Sequence, residues 1–324
     1  METKIDAALN HSPDVLFRYV RRQFNVTLNL IEQKRLGEAI TYLPTIFTRE
    51  DTYRRYIKWK HGSYAIVEVH NNKLIVDLDD EGLSEQPIQW GNREDNTVKA
   101  FKQELNKLTD AVESVSVLEI GANIGYYALI EADIINNTGK IYAIEPHPEN
   151  IQLLKANSQL NGYDNLCVTQ AAIGAEDDSV ELFESPKSNR HQVGQPPHSE
   201  EEVDRISVPL YSVDSFVERQ DIEPNDINLI RMDVEGYESE IFQGTETVLS
   251  QDSPMLLFIE LHTWLLEKDE FDEIINSLVQ NGFELAHAFV EAPHIEGWEC
   301  EYEKITDIRH DDTWGPKLIL KRGF

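Results

Sequence analysis

The strongest chemical signal in the chain is a glycine turn that follows an apolar run containing an acid. Residues 117–125 read Val-Leu-Glu-Ile-Gly-Ala-Asn-Ile-Gly, with glycines at positions 121 and 125. A strand that feeds such a turn places it at the carboxyl edge of a sheet, where open α/β folds bind ligands. Glycine also tolerates unusual φ values and close approach of another group. The segment therefore predicts a site for a nucleotide-like cofactor.

The spacing of these glycines favours S-adenosylmethionine over a dinucleotide. Dinucleotide sites use G-x-G-x-x-G, and here Asn123 stands where the middle glycine would be. Glu119, two residues before the first glycine, would repel a pyrophosphate, but it could pair with a cationic amino-acid or sulfonium group. S-adenosylmethionine carries both of those charges.

A second acid, Glu145, closes the next apolar segment, residues 140–145, and comes twenty positions after Gly125. At the tip of the second parallel strand its carboxylate is placed to accept protons from both ribose hydroxyls. The alternative is an ordinary acid at a strand end that is solvated or caps the following helix.

Several motifs, in this order, resemble the FkbM-type family of S-adenosylmethionine-dependent methyltransferases. They are residues 117–126, Ile144-Glu145-Pro146, Asn157 with Asn161, residues 171–174 and residues 233–236. The resemblance covers roughly residues 90–290. It implies an α/β class I methyltransferase (Rossmann-like) fold, a doubly wound, mostly parallel seven-stranded sheet, and most often methylation of a sugar hydroxyl. One departure is Arg231, where the family commonly has Lys.

The resemblance and the turn chemistry together predict the residues that bind the cofactor. These are Glu119, Gly121, Ala122, Asn123, Gly125, Tyr126, Glu145, Pro146 and Ala172.

Three further residues follow predicted strands and are the candidates for catalysis: Asp233, Glu235 and His262. Methyl transfer from a sulfonium is a direct displacement, so the acceptor oxygen must be in line and must lose its proton as the bond forms. Asp233 is placed for that task or for orienting a histidine, and His262 is a candidate general base because its ordinary pKa lies near neutrality. Glu235 is alternatively a helix cap, and His262 a structural histidine.

The sequence gives only weak evidence for a metal ion. Glu260 and Asp233 end separate predicted strands, and two acids of that kind do not define a cation site. We therefore expect no metal from the sequence alone.

The chain is expected to form two parts. Residues 1–90 are predicted as a helical and β-hairpin extension, with strands over 64–70 and 74–77, and residues 91–324 as the methyltransferase domain. Helices and strands alternate from about residue 96, which is typical of a parallel sheet covered on both faces. Asp269 is expected to cap a helix that ends at Gly282.

Two further regions could cover or line the predicted site. Residues 185–205 are rich in proline and polar residues, including His191 and His198, and are predicted to form a mobile lid or a disordered loop. Trp298, Tyr302 and Trp314 offer aromatic faces that could stack on a sugar ring or pack on the sheet edge.

The chain is strongly acidic. Its 59 acidic and 29 basic residues give a formal charge of −30, distributed along all 324 residues. Such a surface repels nucleic acid and anionic membranes, and its self-repulsion destabilises the compact state unless salt screens it. We expect a halophilic protein that works in molar salt. A basic amphipathic helix at residues 15–22 allows weak peripheral membrane contact, although such helices more often pack on their own domain.

Cysteine use and the chain start agree with a cytoplasmic protein. Cys167 and Cys300 build no disulfide framework, and Cys167 is expected to be a small core residue. Residues 1–4 lack the basic start of a signal peptide, and no apolar run is long enough to span a bilayer.

The leading hypothesis is an O-methyltransferase that acts on a hydroxyl of a sugar, a glycan or a glycosylated metabolite. Methyl-ester formation on a sugar carboxylate is a close variant, and a non-catalytic scaffold that keeps the cofactor fold is an alternative from another class. A nicotinamide-dependent oxidoreductase is disfavoured by the glycine spacing. The acceptor and the oligomeric state stay open.

Overall fold

The computed structural model describes residues 63–80, 94–185, 188, 191–194, 204–292, 295–299, 302–310 and 315–324. These residues divide into two compact units, with the boundary between residues 93 and 94. The predicted helices of residues 1–60 lie outside the described residues.

The first unit contains a β-hairpin formed by β1 (Tyr64–Val69) and β2 (Asn72–Asp77). The strands pair antiparallel from Tyr64 with Asp77 to Val69 with Asn72. The predicted turn over residues 71–73 is shifted by one residue, because His70 and Asn71 take the positive φ values, 46° and 72°, that a two-residue hairpin turn needs.

The second unit alternates helices and strands. In its first half these are α1 (Asp95–Ala111), β3 (Val115–Ile120), α2 (Tyr126–Ile135), β4 (Gly139–Glu145), α3 (Pro148–Asn161), β5 (Leu166–Gln170), β6 (Ala172–Gly174), β7 (Asp178–Phe183), β8 (Gln192–Val193) and β9 (Arg205–Ser212). In its second half they are α4 (Val213–Arg219), β10 (Ile227–Met232), α5 (Glu238–Gln243), α6 (Glu246–Leu249), β11 (Met255–Glu260), α7 (Lys268–Gln280), β12 (Glu284–Ala292), β13 (Ile295–Glu299) and β14 (Lys317–Arg322).

The main sheet has eight strands in the order β13-β12-β14-β11-β10-β3-β4-β5. Strands β3, β4, β5, β10 and β11 are parallel, and β14 runs antiparallel between β11 and β12. The seven predicted strands are therefore present, and β13 adds an eighth that pairs with β12. This is the class I methyltransferase sheet.

The direction in which strands are added reverses between β3 and β10. The chain adds β4 and β5 on one side of β3, and then crosses to add β10 and β11 on the other. Such a switch point opens a crevice beyond the carboxyl ends of the two central strands, where open α/β folds bind ligands. The glycine turn after β3 and Asp233 after β10 both lie at this point.

Burial explains why these segments form the centre of the sheet. Every residue of β10 and β11 is buried, as expected for strands with helices on both faces. Helix α7 packs its apolar stripe against this core through Phe271, Ile274, Ile275 and Leu278. Its cap differs from the prediction, because Glu267 and Glu270 form a capping box where Asp269 was expected to cap.

A second, smaller sheet in the order β6-β9-β7-β8 was missed by the sequence analysis. Strands β7 and β9 pair antiparallel over six residues each, and β8 lies within the predicted lid segment. Cys167 was also misassigned, because β5 is an edge strand of the main sheet and leaves this thiol exposed. Among the described residues, no helix combines the length and apolarity needed to cross a bilayer.

Candidate active site

The turn after β3 is fixed by its backbone. The amide groups of Gly121 and Ala122 both donate to the carbonyl oxygen of Ile144, at 2.9 and 3.0 Å. Asn157 of α3 donates from its side chain to the carbonyl oxygen of Ile124 at 2.8 Å. These bonds tie the turn to β4 and α3, so that the ends of β3 and β4 are held together.

The two glycines of the turn serve the packing of the chain itself. Gly121 and Gly125 have φ values of 76° and 94°, which side chains rarely allow. A Cβ on Gly121 would collide with the carbonyl oxygen of Asp233, and one on Gly125 would lie 2.5 Å from Cδ1 of Leu154. A Cβ at either position would therefore collide with residues of this chain, and contact between a cofactor and the backbone of this turn stays a prediction.

Glu145 is held rigidly at the end of β4. Its Oε2 accepts from the amide of Asn123 at 2.9 Å, and its Oε1 accepts from the amide of His147 at 2.9 Å and from Asn150 at 3.2 Å. The residue is 4% exposed. Burial raises the pKa of this carboxyl, although the bonds from His147, Asn123 and Asn150 oppose the shift.

The described part of the predicted lid lies against this end of β4. The carbonyl oxygen of Ser188 accepts from the side chain of Asn123 at 2.9 Å and from that of Asn150 at 3.4 Å. The ring of His191 stacks on that of His147, with centroids 4.1 Å apart. These contacts place the described part of the segment at the edge where a cofactor is expected, as a lid would be. The mobility of the segment stays a prediction. His198 lies outside the described residues.

Glu119 contacts a cation that belongs to the chain. It is fully buried, and its Oε1 accepts from Nη1 of Arg231 at 2.7 Å, because the two residues face each other across β3 and β10. Burial raises the pKa of Glu119 to about 7, against the opposing effect of the Arg231 charge. Burial and the charge of Glu119 raise the pKa of Glu131 well above its ordinary value. Contact between Glu119 and the cofactor stays a prediction.

Arg231 links this buried pair to Asp233. Its Nη2 lies 3.4 Å from Oδ2 of Asp233, and its guanidinium lies 3.8 Å from the ring centroid of Tyr127. The arginine that departs from the family pattern therefore bridges two carboxylates and stacks on an aromatic ring, a geometry that suits a planar guanidinium better than an ammonium.

The three predicted catalytic residues converge. Nε2 of His262 lies 3.9 Å from Oδ1 of Asp233 and 3.7 Å from Oε2 of Glu235. Glu235 stands in the turn after β10 with a φ of 51°, and such backbone strain is common at functional sites. Two strand ends and one turn thus bring an imidazole and two carboxylates to one point beside the glycine turn.

Glu238, the first residue of α5, orients the imidazole and was missed by the sequence analysis. Its fully buried carboxylate lies 2.6 Å from Nδ1 of His262, whose residue is 2% exposed. Burial lowers the pKa of His262, but Glu238 and then Glu235 and Glu260 raise it well above its ordinary value. The only sequence signal for Glu238 was an acid three positions after Glu235, which also fits an ordinary first helical turn.

A second buried ion-pair group borders the site. Nζ of Lys317 lies 2.9 Å from Oε1 of Glu94 and 3.4 Å from Oε2 of Glu260. Burial raises the pKa of Glu260 to about 8, with Lys317 opposing the shift. No local pattern in the sequence connects positions 94, 260 and 317. The pairing of β11 with β14 brings Lys317 beside Glu260, and Glu94 directly precedes α1.

Trp264, an aromatic residue that the sequence analysis did not name, lies beside the site. Trp264 is 49% exposed, and its ring centroid lies 5.0 Å from that of His262. Tyr302 packs against the main core instead. The side chain of Trp298 and the whole of Trp314 lie outside the described part of the chain.

The other predicted cofactor residues lie around the turn. Ala122 and Tyr126 are buried in the turn and at the start of α2, and Ala172 is buried at the start of β6. Pro146 directly follows β4. Direct contact between these residues and a cofactor stays a prediction.

Most of the second unit matches a known protein family. The methyltransferase FkbM domain matches residues 119–285, just over half of the chain. The protein-L-isoaspartate O-methyltransferase of Methanopyrus kandleri is 26% identical over 110 residues, 34% of this chain and 49% of that protein. The corresponding protein of Methanococcoides burtonii is 31% identical over 100 residues, 29% of this chain and 47% of that protein. The chain thus spans about half the length of these curated relatives.

Among solved structures, methyltransferase FkbM from Methylobacillus flagellatus aligns with 64% of this chain and 44% of its own, at 16% identity and a TM-score of 0.38. The family match encloses the glycine turn, Glu145, Asp233 and His262 in one continuous span. This chain belongs to the FkbM family of S-adenosylmethionine-dependent methyltransferases.

Proposed function

We propose that this chain transfers a methyl group from S-adenosylmethionine to a hydroxyl oxygen of a sugar, in a glycan or a glycosylated metabolite. The observation that carries the proposal is the convergence of Asp233, Glu235 and His262 beside the glycine turn. A scaffold that used the fold only for assembly would not need these three groups at one point.

The chemistry of the residues at the switch point fits this cofactor. A carboxylate has about four lone-pair positions, and Glu145 uses one at Oε2 and two at Oε1 within the protein. It therefore keeps capacity to accept a bond from a ribose hydroxyl. When bound, the cofactor supplies an electrophilic methyl group on a sulfonium, and the acidic surroundings of Asp233 favour that positive charge.

Asp233 is the group best suited to take the acceptor's proton. Its side chain is 24% exposed, so an acceptor can reach it, and the contact with Arg231 holds one carboxylate oxygen in place. Nδ1 of His262 is held by the buried carboxylate of Glu238, and its Nε2 faces Asp233 and Glu235, so this ring is fixed beside the group that takes the proton. His262 is thus better placed to position the acceptor than to act as the predicted general base.

A neutral acceptor fits the electrostatics better than an anionic one. The curated relatives are named as methyltransferases of protein isoaspartate, and ester formation on a sugar carboxylate is therefore the second candidate. Asp233 and Glu235 would repel such a carboxylate at close range. The half-exposed ring of Trp264 beside His262 offers an apolar face of the kind that lines ligand sites.

The test is a transfer assay with a radiolabelled methyl group, in molar potassium chloride, against a panel of neutral sugars and sugar acids. We expect transfer to a neutral sugar, a product that survives mild alkali as a methyl ether does, and a loss of rate in Asp233→Asn. A product that mild alkali hydrolyses would establish the ester alternative. A folded protein that binds the cofactor and methylates no member of the panel would contradict the proposed acceptor class.

A further inference from the structure

The convergent side chains have the composition of a metal-ligand set. One atom each of Asp233, Glu235 and His262 lies within 4.8 Å of the other two. Metal–ligand bonds of about 2.1 Å in an octahedral ion place the ligand atoms roughly 3 to 4 Å apart. The separations of 3.7 and 3.9 Å from Nε2 to the two carboxylate oxygens already lie in that range.

The orientation of His262 is the second observation that points to a ligand. The ring is 2% exposed and fixed through Nδ1 by the buried carboxylate of Glu238, so that Nε2 is aimed at the two carboxylate oxygens. Both distances from Nε2 exceed hydrogen-bond length. A carboxylate that fixes one ring nitrogen while the other faces the ion is the usual arrangement around a histidine that binds a metal.

Carboxylates outnumber side-chain cations among the described residues around the site. Two neighbouring side-chain cations in the described part of the chain are each shared between two carboxylates: Arg231 between Glu119 and Asp233, and Lys317 between Glu94 and Glu260. Glu235 and Glu238 add two further carboxylates beside His262. Buried carboxylates are stable when they are paired or bind a metal.

From this geometry we infer that Asp233, Glu235 and His262 bind one divalent cation, of the class that accepts both carboxylate and imidazole ligands, such as Mn²⁺. Three protein ligands leave coordination positions open, and an acceptor hydroxyl could occupy one of them. An ion there would hold the acceptor oxygen in place and lower the pKa of its proton. This role in catalysis rests on the proposed methyl transfer, whereas the binding of the ion does not.

The experiment is a titration of the folded, metal-stripped full chain with Mn²⁺ alone in molar potassium chloride, followed by electron paramagnetic resonance and calorimetry. The salt screens unspecific binding to the acidic surface. We expect one tight site per chain. Asp233→Asn and Glu235→Gln should each weaken it by about tenfold or more, since each removes a charged ligand.

The matched control is Glu246→Gln, which removes one exposed carboxylate and should leave the tight site unchanged. Circular dichroism verifies that each variant is folded, and Glu235 suits the test well because it lies in a turn. Equal Mn²⁺ binding by wild type, Glu235→Gln and Glu246→Gln would overturn the inference. S-adenosylmethionine binding is measured on the same samples without metal, so that failure of the metal site and failure of the proposed function are seen separately.

Discussion

The backbone of Gly121 lies directly against the carbonyl oxygen of Asp233, with no space between them for a Cβ. The turn that follows β3 and the acid that follows β10 are therefore in contact through main-chain atoms. A change at the turn must displace the acid, although Gly121 precedes Asp233 by 112 positions along the chain.

Gly121→Ala tests this contact. The new Cβ meets Asp233, and the φ of 76° adds a conformational cost of about 1–2 kcal/mol. We expect a lower melting temperature and the loss of both cofactor binding and methyl transfer. Gly162→Ala is the control, because Gly162 has a similar φ of 73° with nothing within 4 Å of its added Cβ. An equal effect of both substitutions would mean that only the backbone conformation matters at position 121.

Arg231→Lys tests whether the guanidinium positions Asp233. An ammonium is a point charge and cannot hold Glu119 and Asp233 while it stacks on Tyr127. Because hydrogen bonds to charged groups contribute about 1.5–3 kcal/mol, we expect the turnover rate to fall by about tenfold or more, with the fold retained. Arg219→Lys, at an exposed pair with Asp177, should leave turnover unchanged. A wild-type turnover rate in Arg231→Lys would show that Asp233 needs no such support.

Cofactor affinity should depend on pH through Glu145. The carboxylate form accepts bonds from ribose hydroxyls and the protonated form does so poorly, so binding is complete above the pKa and is lost as the pH falls through it. Because burial raises this pKa above its ordinary value of 4.5, the loss should begin at a higher pH than an exposed glutamate would give. Calorimetry across this pH range measures it. Glu145→Gln should bind the cofactor more weakly, and its affinity should not change over this pH range. The same pH dependence in both proteins would show that another group causes it.

The stability of the chain should rise with salt. A formal charge of −30 makes the folded state repel itself, and potassium chloride screens this repulsion. We expect a higher melting temperature in molar potassium chloride than in dilute buffer, and more activity there. The melting temperatures in sodium sulfate and in potassium chloride are compared at equal ionic strength, which separates the screening of charge from general salting-out. Full structure and activity in dilute buffer would contradict the halophilic interpretation.

The sequence predicted the main sheet because its signals are local. An apolar run such as residues 227–232 marks a buried strand by composition alone, and Asp233 and His262 were assigned to strand ends from those runs. Because parallel strands end at the same edge of the sheet, the predicted fold already brings Asp233 and His262 close together. Two strands of the small sheet, β6 and β8, have three and two residues, too few for a periodic pattern. The longer β7 and β9 lie on either side of residues 185–205, which were predicted as a lid or loop.

Other parts of the site depend on contacts that local sequence does not encode. Glu119 was assigned to the cofactor from its place beside the glycines, but its partner in the structure stands on β10, and only the register of β3 with β10 brings Arg231 opposite it. Lys317 approaches Glu260 through the pairing of β14 with β11. Local sequence motifs do not reveal such pairings between residues that are far apart in the chain.

The most direct test of the central claim is a calorimetric titration of the chain with S-adenosylmethionine in molar potassium chloride, beside Glu145→Ala and Glu149→Ala. Glu149 is an exposed acid in the first turn of α3 and is the control for loss of one charge. The account predicts binding by wild type and Glu149→Ala at equal affinity, and its loss in Glu145→Ala. A folded wild-type protein that does not bind, or a Glu145→Ala variant that binds as tightly, would contradict it.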